Sequence, residues 1–194
     1  MTMFVMIALL GFIILKYSIN YLDGDSRQHI FMSRLAITIA SVELLVLSGN
    51  LAQLFLFWMI TSICLHYLLV FYRNRPQAIA AARKKYIVAR AGDLCLAIAF
   101  SLQFFQFGTG NLQSIFDQAV SMAQITGELT TAMILLVIAA VLKSAQFPTH
   151  GWLIEVVETP TPVSALLHAG LLNAGPFIMV RMAFLMQLSE PASL

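Results

Sequence analysis

Charged residues are scarce in this sequence. Asp, Glu, Lys and Arg make up 10% of its 194 residues, while hydrophobic residues make up 60%; an average soluble domain has roughly 25% charged residues. The mean hydropathy is +0.86. This composition excludes a water-soluble fold and predicts a membrane protein. A spanning helix needs about 20 mainly apolar residues, so the length allows several crossings.

Signals of the common active sites are missing as well. The two cysteines, Cys64 and Cys95, lie in apolar stretches with neither metal-ligand spacing nor the pattern of a disulfide framework, so packing roles are expected. No phosphate-binding loop, zinc-ligand spacing or nucleophile triad occurs. The net charge of +2 is too small to indicate nucleic-acid binding. We therefore expect no enzyme active site and no metal or other cofactor in this chain.

The apolar stretches predict an all-α, polytopic bundle of about six transmembrane helices, one of them discontinuous. The discontinuity is placed at Phe147-Pro148, because proline removes a backbone donor. An amphipathic piece, 149–157, follows it, and the polar stretch 108–128 is expected to contain a surface helix. Lipid cannot satisfy the backbone groups that a break exposes, whereas a protein-lined ion pathway can use them. The predicted spans are 1–20, 30–48, 51–72, 86–107, 129–146 and 163–186.

Basic residues indicate the topology. They lie around alternate connections, and the turns near Gly49 and Gly108 have none. The positive-inside rule therefore predicts cytoplasmic basic loops and an external N-terminus. In this interpretation the run 83–85 belongs to the loop before the fourth span. The basic residues concerned are Lys16, Arg27, Arg34, Arg73, Arg75, Arg83, Lys84 and Lys85.

Ionisable residues inside the predicted spans are the candidates for function, because a charge near the bilayer centre costs several kcal/mol, roughly 2.5 to over 10. Lys143 precedes the predicted break, and an apolar environment disfavours its charged form, which favours proton exchange. It is either a proton carrier or a structural partner of Asp93 or Glu43. Arg90 and Asp93 are three residues apart and are expected to pair. Glu43 requires an interhelical partner or a proton.

Two histidines are further candidates. His168 shares a helix face with Ser164, and histidine can relay protons near neutral pH. The alternative for His168 is a hydrogen-bonding residue without transport function, and the same two interpretations apply to His66. The small residues Gly170, Asn173, Ala174 and Gly175 predict close helix packing, and Pro176 predicts a kink.

Two motifs carry a family resemblance. Lys-Ser-Ala-Gln-Phe-Pro at 143–148 and Pro-Thr-Pro-Val-Ser-Ala-Leu-Leu-His at 160–168, together with Arg-Ala-Gly-Asp at 90–93 and Trp58, resemble the proton-conducting antiporter-like subunits of respiratory complex I and Mrp antiporters. The resemblance implies an inverted-repeat fold whose N-terminal half this chain represents. It also implies that Lys143 is the central proton-pathway residue and His168 a neighbouring relay.

The resemblance further implies a single transmembrane domain over 1–194. Residues 1–28 form a leading helix and loop, and 29–194 form a five-helix half-channel with its break at 147–148. The chain is then a fragment, the product of a split gene or an artificially shortened form of a longer family member. The family glutamate that pairs with the lysine is replaced by Met59, so ordinary complex I pumping is in doubt, and Asp93 or Glu43 is expected to substitute.

The stretches 152–160 and 168–175 are most similar to one branch, the DabB membrane subunits of inorganic-carbon accumulation complexes. This similarity implies a multi-pass protein of the bacterial inner membrane that conducts protons or sodium. Its partner is expected to be a DabA-like, carbonic-anhydrase-type subunit that holds zinc and carries the catalysis. The alternative is an antiporter-like pumping subunit of a complex I, hydrogenase or Mrp-type assembly.

Overall fold

The computed structural model describes residues 2–71, 76–122, 127–147, 149–154 and 160–189, and these residues form helices and turns without a β-strand. Four helices in this part of the chain are long and apolar enough to cross a membrane. They confirm the all-α, multi-pass prediction. They are α1 (Thr2–Tyr21), α2 (Gln28–Leu47), α3 (Leu51–Leu69) and α4 (Pro76–Phe107).

Asparagine side chains start two helices at one end of the bundle. Asn50 accepts a hydrogen bond from the Ala52 N–H, and Asn111 caps the short helix α5 (Leu112–Val120), the predicted surface helix. The two loops also bind each other, since the Leu51 N–H donates to the Gly110 carbonyl at 2.8 Å and the Leu112 N–H to the Gly49 carbonyl at 3.0 Å. This double contact joins the start of α3 to the start of α5.

The fourth span differs from its prediction. Helix α4 begins at Pro76, ten residues before the predicted start at residue 86, so the basic run 83–85 is helical and not a loop. Arg83 and Lys84 are exposed, but Lys85 is buried. Arg73 and Arg75, from the predicted loop, lie outside the described residues.

The fifth span breaks earlier than expected. Helix α6 (Gly127–Lys143) ends at Lys143 itself, four residues before Phe147. Ala145 has a φ of 51°, in the left-handed region that non-glycine residues rarely adopt, and this turn ends the helix. Pro148, the predicted breaking residue, lies outside the described residues. A short helix α7 (Gly151–Ile154) follows.

The last predicted span is divided into several helical segments, whereas the sequence predicted one helix with a kink at Pro176. It consists of α8 (Thr161–Leu166), a π-helical segment (Leu167–Leu171), α9 (Ala174–Arg181) and α10 (Ala183–Leu188). Pro176 occupies the first turn of α9, where a missing N–H leaves no hydrogen bond unmade. The proline therefore starts a new helix, and the π-helical segment precedes it.

Packing divides the interior into two apolar clusters with a polar layer between them. On α3, Trp58 belongs to one cluster and Leu65 to the other; on α4, Leu96 and Ala82 divide in the same way. The layer lies near the middle of both helices, far from either end. The polar residues between the clusters are Thr61 and Ser62 on α3, Lys85 and Asp93 on α4, and Lys143 at the end of α6.

Candidate functional site

Lys143 binds α3 through three oxygen atoms. Its Nζ donates to the Ser62 hydroxyl at 2.7 Å, to the Trp58 carbonyl at 3.1 Å and to the Thr61 hydroxyl at 3.4 Å. The same nitrogen lies 4.4 Å from the centre of the Trp58 ring, and such a cation–π contact contributes about 2 kcal/mol when desolvated. Among the described residues, no carboxylate lies within ion-pair distance of Lys143. The ammonium is therefore solvated by neutral groups of α3.

A second lysine shares one of these partners. Lys85 is 5% exposed, and its Nζ donates to the Ser62 backbone carbonyl at 2.8 Å. Ser62 thus binds Lys143 through its side chain and Lys85 through its main chain. Two lysines from different helices meet at one residue of a third helix.

Lys85 was missed because a basic run usually marks the end of a span. A second signal in the sequence identifies it. Small and apolar residues recur on α4 at alternating spacings of three and four, which is the pattern of a buried helix stripe, and Lys85 is in phase with them. The buried members are Ala82, Lys85, Ala89, Gly92, Leu96, Ala99 and Gln103.

Asp93 is held by two other groups. The Trp58 indole Nε1 donates to Asp93 Oδ1 at 2.8 Å. Arg90 forms the predicted ion pair, with Nη2 2.7 Å from Asp93 Oδ2, although the angle of this contact lies outside hydrogen-bond geometry. Asp93 interacts electrostatically with Lys143 without forming an ion pair with it, and its expected substitution for a glutamate at Met59 stays a prediction.

The other predicted residues lie apart from Lys143. Glu43 is half-buried on α2 and, in the described part of the chain, has neither an ion pair nor a hydrogen bond. His168 is exposed in the π-helical segment. His66 packs 5.2 Å from the Tyr86 ring, and its buried Nδ1 has no hydrogen-bond partner among the described residues. The proposed roles of these three residues stay predictions.

A small cavity adjoins both lysines. Its volume available to a water-sized sphere is about 20 Å³, and its lining includes Thr61, Ser62, Lys85, Lys143 and Trp152. A water molecule needs roughly 10–15 Å³ measured in this way, together with two or more polar partners. The polar layer can therefore hold a hydrating water between the two amines.

Among the described residues, the positive charges of the site outnumber the negative ones. Lys85, Lys143 and Arg90 interact electrostatically with one another, and Asp93 is the carboxylate that interacts with both lysines. Three cations and one carboxylate thus share a layer between two apolar clusters. The described residues contain no group of three or more His, Cys, Asp or Glu side chains that could hold a metal ion.

The fold and the site define a multi-pass helical membrane protein with a lysine at the end of an interrupted helix. Residues 48–193 match the transmembrane family of NADH:quinone oxidoreductase and Mrp antiporter subunits. The chain belongs to this family, as its motifs predicted.

Individual relatives agree with this assignment. The chain is 45% identical over 169 residues to a probable inorganic carbon transporter subunit, DabB2, of Halothiobacillus neapolitanus, covering 87% of this chain and 31% of that protein. It is 37% identical over 188 residues to the probable DabB subunit of Hydrogenovibrio crunogenus, covering 96% and 36%. The predicted similarity to the DabB branch is therefore confirmed.

Relatives of the other branch also match. Subunit 5 of the chloroplast NAD(P)H-quinone oxidoreductase of Ranunculus macranthus is 35% identical over 185 residues, covering 93% of this chain and 25% of that protein. The Mrp complex of Dietzia sp. DQ12-45-1b contains a similar structure, with a TM-score of 0.74 and 29% identity over 83% of this chain and 18% of that one. The chain spans about a third or less of the length of these relatives.

Proposed function

We propose that this chain forms part of a cation-conducting subunit that energises inorganic-carbon accumulation in the bacterial inner membrane. Lys143 carries the proposal: its ammonium lies at the end of an interrupted helix, in contact with hydroxyl, carbonyl and ring groups and without a carboxylate partner among the described residues. Loss of a proton from this amine leaves no carboxylate of the described residues unpaired, so its charge can change during turnover. The similarity to two DabB subunits supports inorganic carbon as the process served.

The proposed partner is a DabA-like subunit of the carbonic-anhydrase type, which would hold the zinc and carry out carbon dioxide hydration. Cation movement through this chain would drive that reaction in the direction of uptake. The transported cation is a proton or a sodium ion, and Lys143 favours the proton because an amine can bind and release it directly.

The first experiment replaces Lys143 with methionine in the full-length protein, co-expressed with its partner. Methionine preserves an unbranched side chain but cannot bind a proton. We expect loss of growth rescue at low carbon dioxide and loss of cation flux in proteoliposomes, with the complex still purified intact. Lys16→Met, which removes an exposed lysine of α1, is the control and is expected to retain both activities. Full rescue by Lys143→Met would contradict the proposal.

A pumping subunit of a complex I, hydrogenase or Mrp-type assembly is the second candidate function. The match to chloroplast quinone oxidoreductase subunits favours it, whereas Met59 counts against it. Purification of the tagged full-length protein separates the two candidates. A carbonic-anhydrase-type partner supports the first function, and a set of quinone-reductase or antiporter subunits supports the second.

A further inference from the structure

Lys85 is a buried amine that the function proposed for Lys143 does not yet use. It lies nine residues into α4, is 5% exposed and has the Ser62 carbonyl as its hydrogen-bond partner. A lysine that served only to anchor the helix at the membrane surface would extend its amine toward water. Lys85 instead directs its amine into the polar layer, toward the residue that binds Lys143.

The groups around Lys85 make a permanent charge on both lysines unfavourable. On its own helix it interacts with Asp93 and Arg90, and on α3 with Cys64 and His66; Lys143 faces it from the end of α6. Asp93 is already bound by Arg90 and by the Trp58 indole. Two ammonium groups in this layer would therefore repel each other, and the carboxylates of the described residues offer little compensation.

A route for a proton joins the two amines. The Ser62 hydroxyl accepts from Lys143 and can donate its own hydrogen to a water in the adjoining cavity, which both lysines line. A proton leaves the Lys143 ammonium, a water or the Ser62 hydroxyl passes one on, and the neutral Lys85 amine accepts it. The total charge is unchanged, and no other reactant is consumed.

We propose that Lys85 is a second proton-binding member of the pathway and exchanges a proton with Lys143 across Ser62. The proposal rests on the function proposed above and adds a residue on α4 to it. It adds a proton-binding group beside Lys143 on the α3–α4 side of the site, on the helix that packs against His66.

Substitutions at Lys85 distinguish proton exchange from a structural cation. In the full-length complex reconstituted into proteoliposomes, Lys85→Met and Lys85→Arg are expected to lower proton flux about tenfold or more, because methionine binds no proton and arginine does not release one. Lys85→His is expected to retain part of the flux with an altered pH profile, because histidine exchanges protons near neutral pH. A structural cation would give the opposite order, with arginine active and histidine inactive.

Controls separate this inference from the function on which it rests. Lys16→Met should behave as the unaltered complex, and co-purification of the partner checks assembly of every variant. Flux that survives Lys85→Met but is lost in Lys143→Met would overturn the role of Lys85 alone. Flux that survives Lys143→Met would overturn the proposed function as well.

Anion binding between the two lysines is the competing explanation, and the same vesicles test it. Flux that rises with chloride concentration in the unaltered complex and loses this dependence in Lys85→Met would assign an anion to the pair and overturn proton exchange. Flux that is equal in chloride and in gluconate supports proton exchange.

Discussion

Replacing Gly175 with alanine is expected to force α9 away from the end of α6. A methyl group at this position would lie less than 3.0 Å from both the Ser144 hydroxyl and the Ala140 carbonyl oxygen, closer than real Cβ atoms approach. The hydroxyl can rotate, but the carbonyl belongs to the backbone of α6. It also accepts hydrogen bonds from the Ser144 N–H at 3.0 Å and hydroxyl at 2.8 Å. Overpacking of this kind costs roughly 1–3 kcal/mol in stability. The clashing hydroxyl belongs to Ser144, the residue that follows Lys143.

The matched control is Gly170→Ala. Gly170 also lies in the last span, but nothing lies within 4 Å of an added methyl group, so we expect little change. The measurement is the midpoint of thermal unfolding of the full-length complex in detergent, followed by fluorescence-detected size exclusion. Gly175→Ala should lower the midpoint by several degrees, and its proton flux should fall because the end of α6 moves.

Equal midpoints for the two variants would refute this packing argument. A second variant identifies the atom responsible. Combining Gly175→Ala with Ser144→Ala removes the hydroxyl but leaves the Ala140 carbonyl in place, so most of the loss should remain. Complete recovery in the double variant would show that the side chain, and not the backbone, limits the approach of the helices.

Three further substitutions test other contacts. Trp58→Phe leaves a ring beneath Lys143 but removes the donor to Asp93, and should cost about 1–3 kcal/mol in the unfolding free energy; an unchanged denaturant midpoint would contradict the bond. Arg181→Met removes the guanidinium that binds the carbonyls of Val46 and Ser48 at the end of α2, and it should lower the midpoint of thermal unfolding. Arg83→Met, which removes an exposed arginine, is the control and should leave this midpoint unchanged. Met59→Glu places a carboxylate one turn before Ser62. Because this carboxylate would stabilise the protonated form of Lys143, we expect a lower proton flux at neutral pH. An increased proton flux at that pH would refute this reasoning.

Much of the fold was predictable because a long apolar stretch in a membrane must satisfy its own backbone hydrogen bonds, which an α-helix does. The turn residues Gly49-Asn50 and Gly108 to Asn111 also identified the helix starts that the structure contains. The small residue Gly175 predicted close packing, and its contact with α6 confirms this. These features depend on local sequence alone.

The errors arose where tertiary packing overrides a local signal. The run 83–85 was assigned to a loop because charge normally ends a span, but the buried stripe of α4 continues through Lys85. The break was placed at Phe147-Pro148, whereas Ala145 adopts the left-handed turn that glycine usually provides. An alanine in this conformation has no signature in the sequence, so the position of Lys143 as the last residue of α6 could not be predicted.

An excess of positive charge among the described residues is the feature of the site on which both proposals depend. Arg90 and Asp93 form an ion pair in which each compensates the charge of the other. Lys85, which is buried, and Lys143, which is partly buried, lie between the apolar clusters, and both bind Ser62. A proton on one lysine therefore disfavours a proton on the other. In the proposed function, a proton that binds one lysine would therefore promote release of a proton from the other.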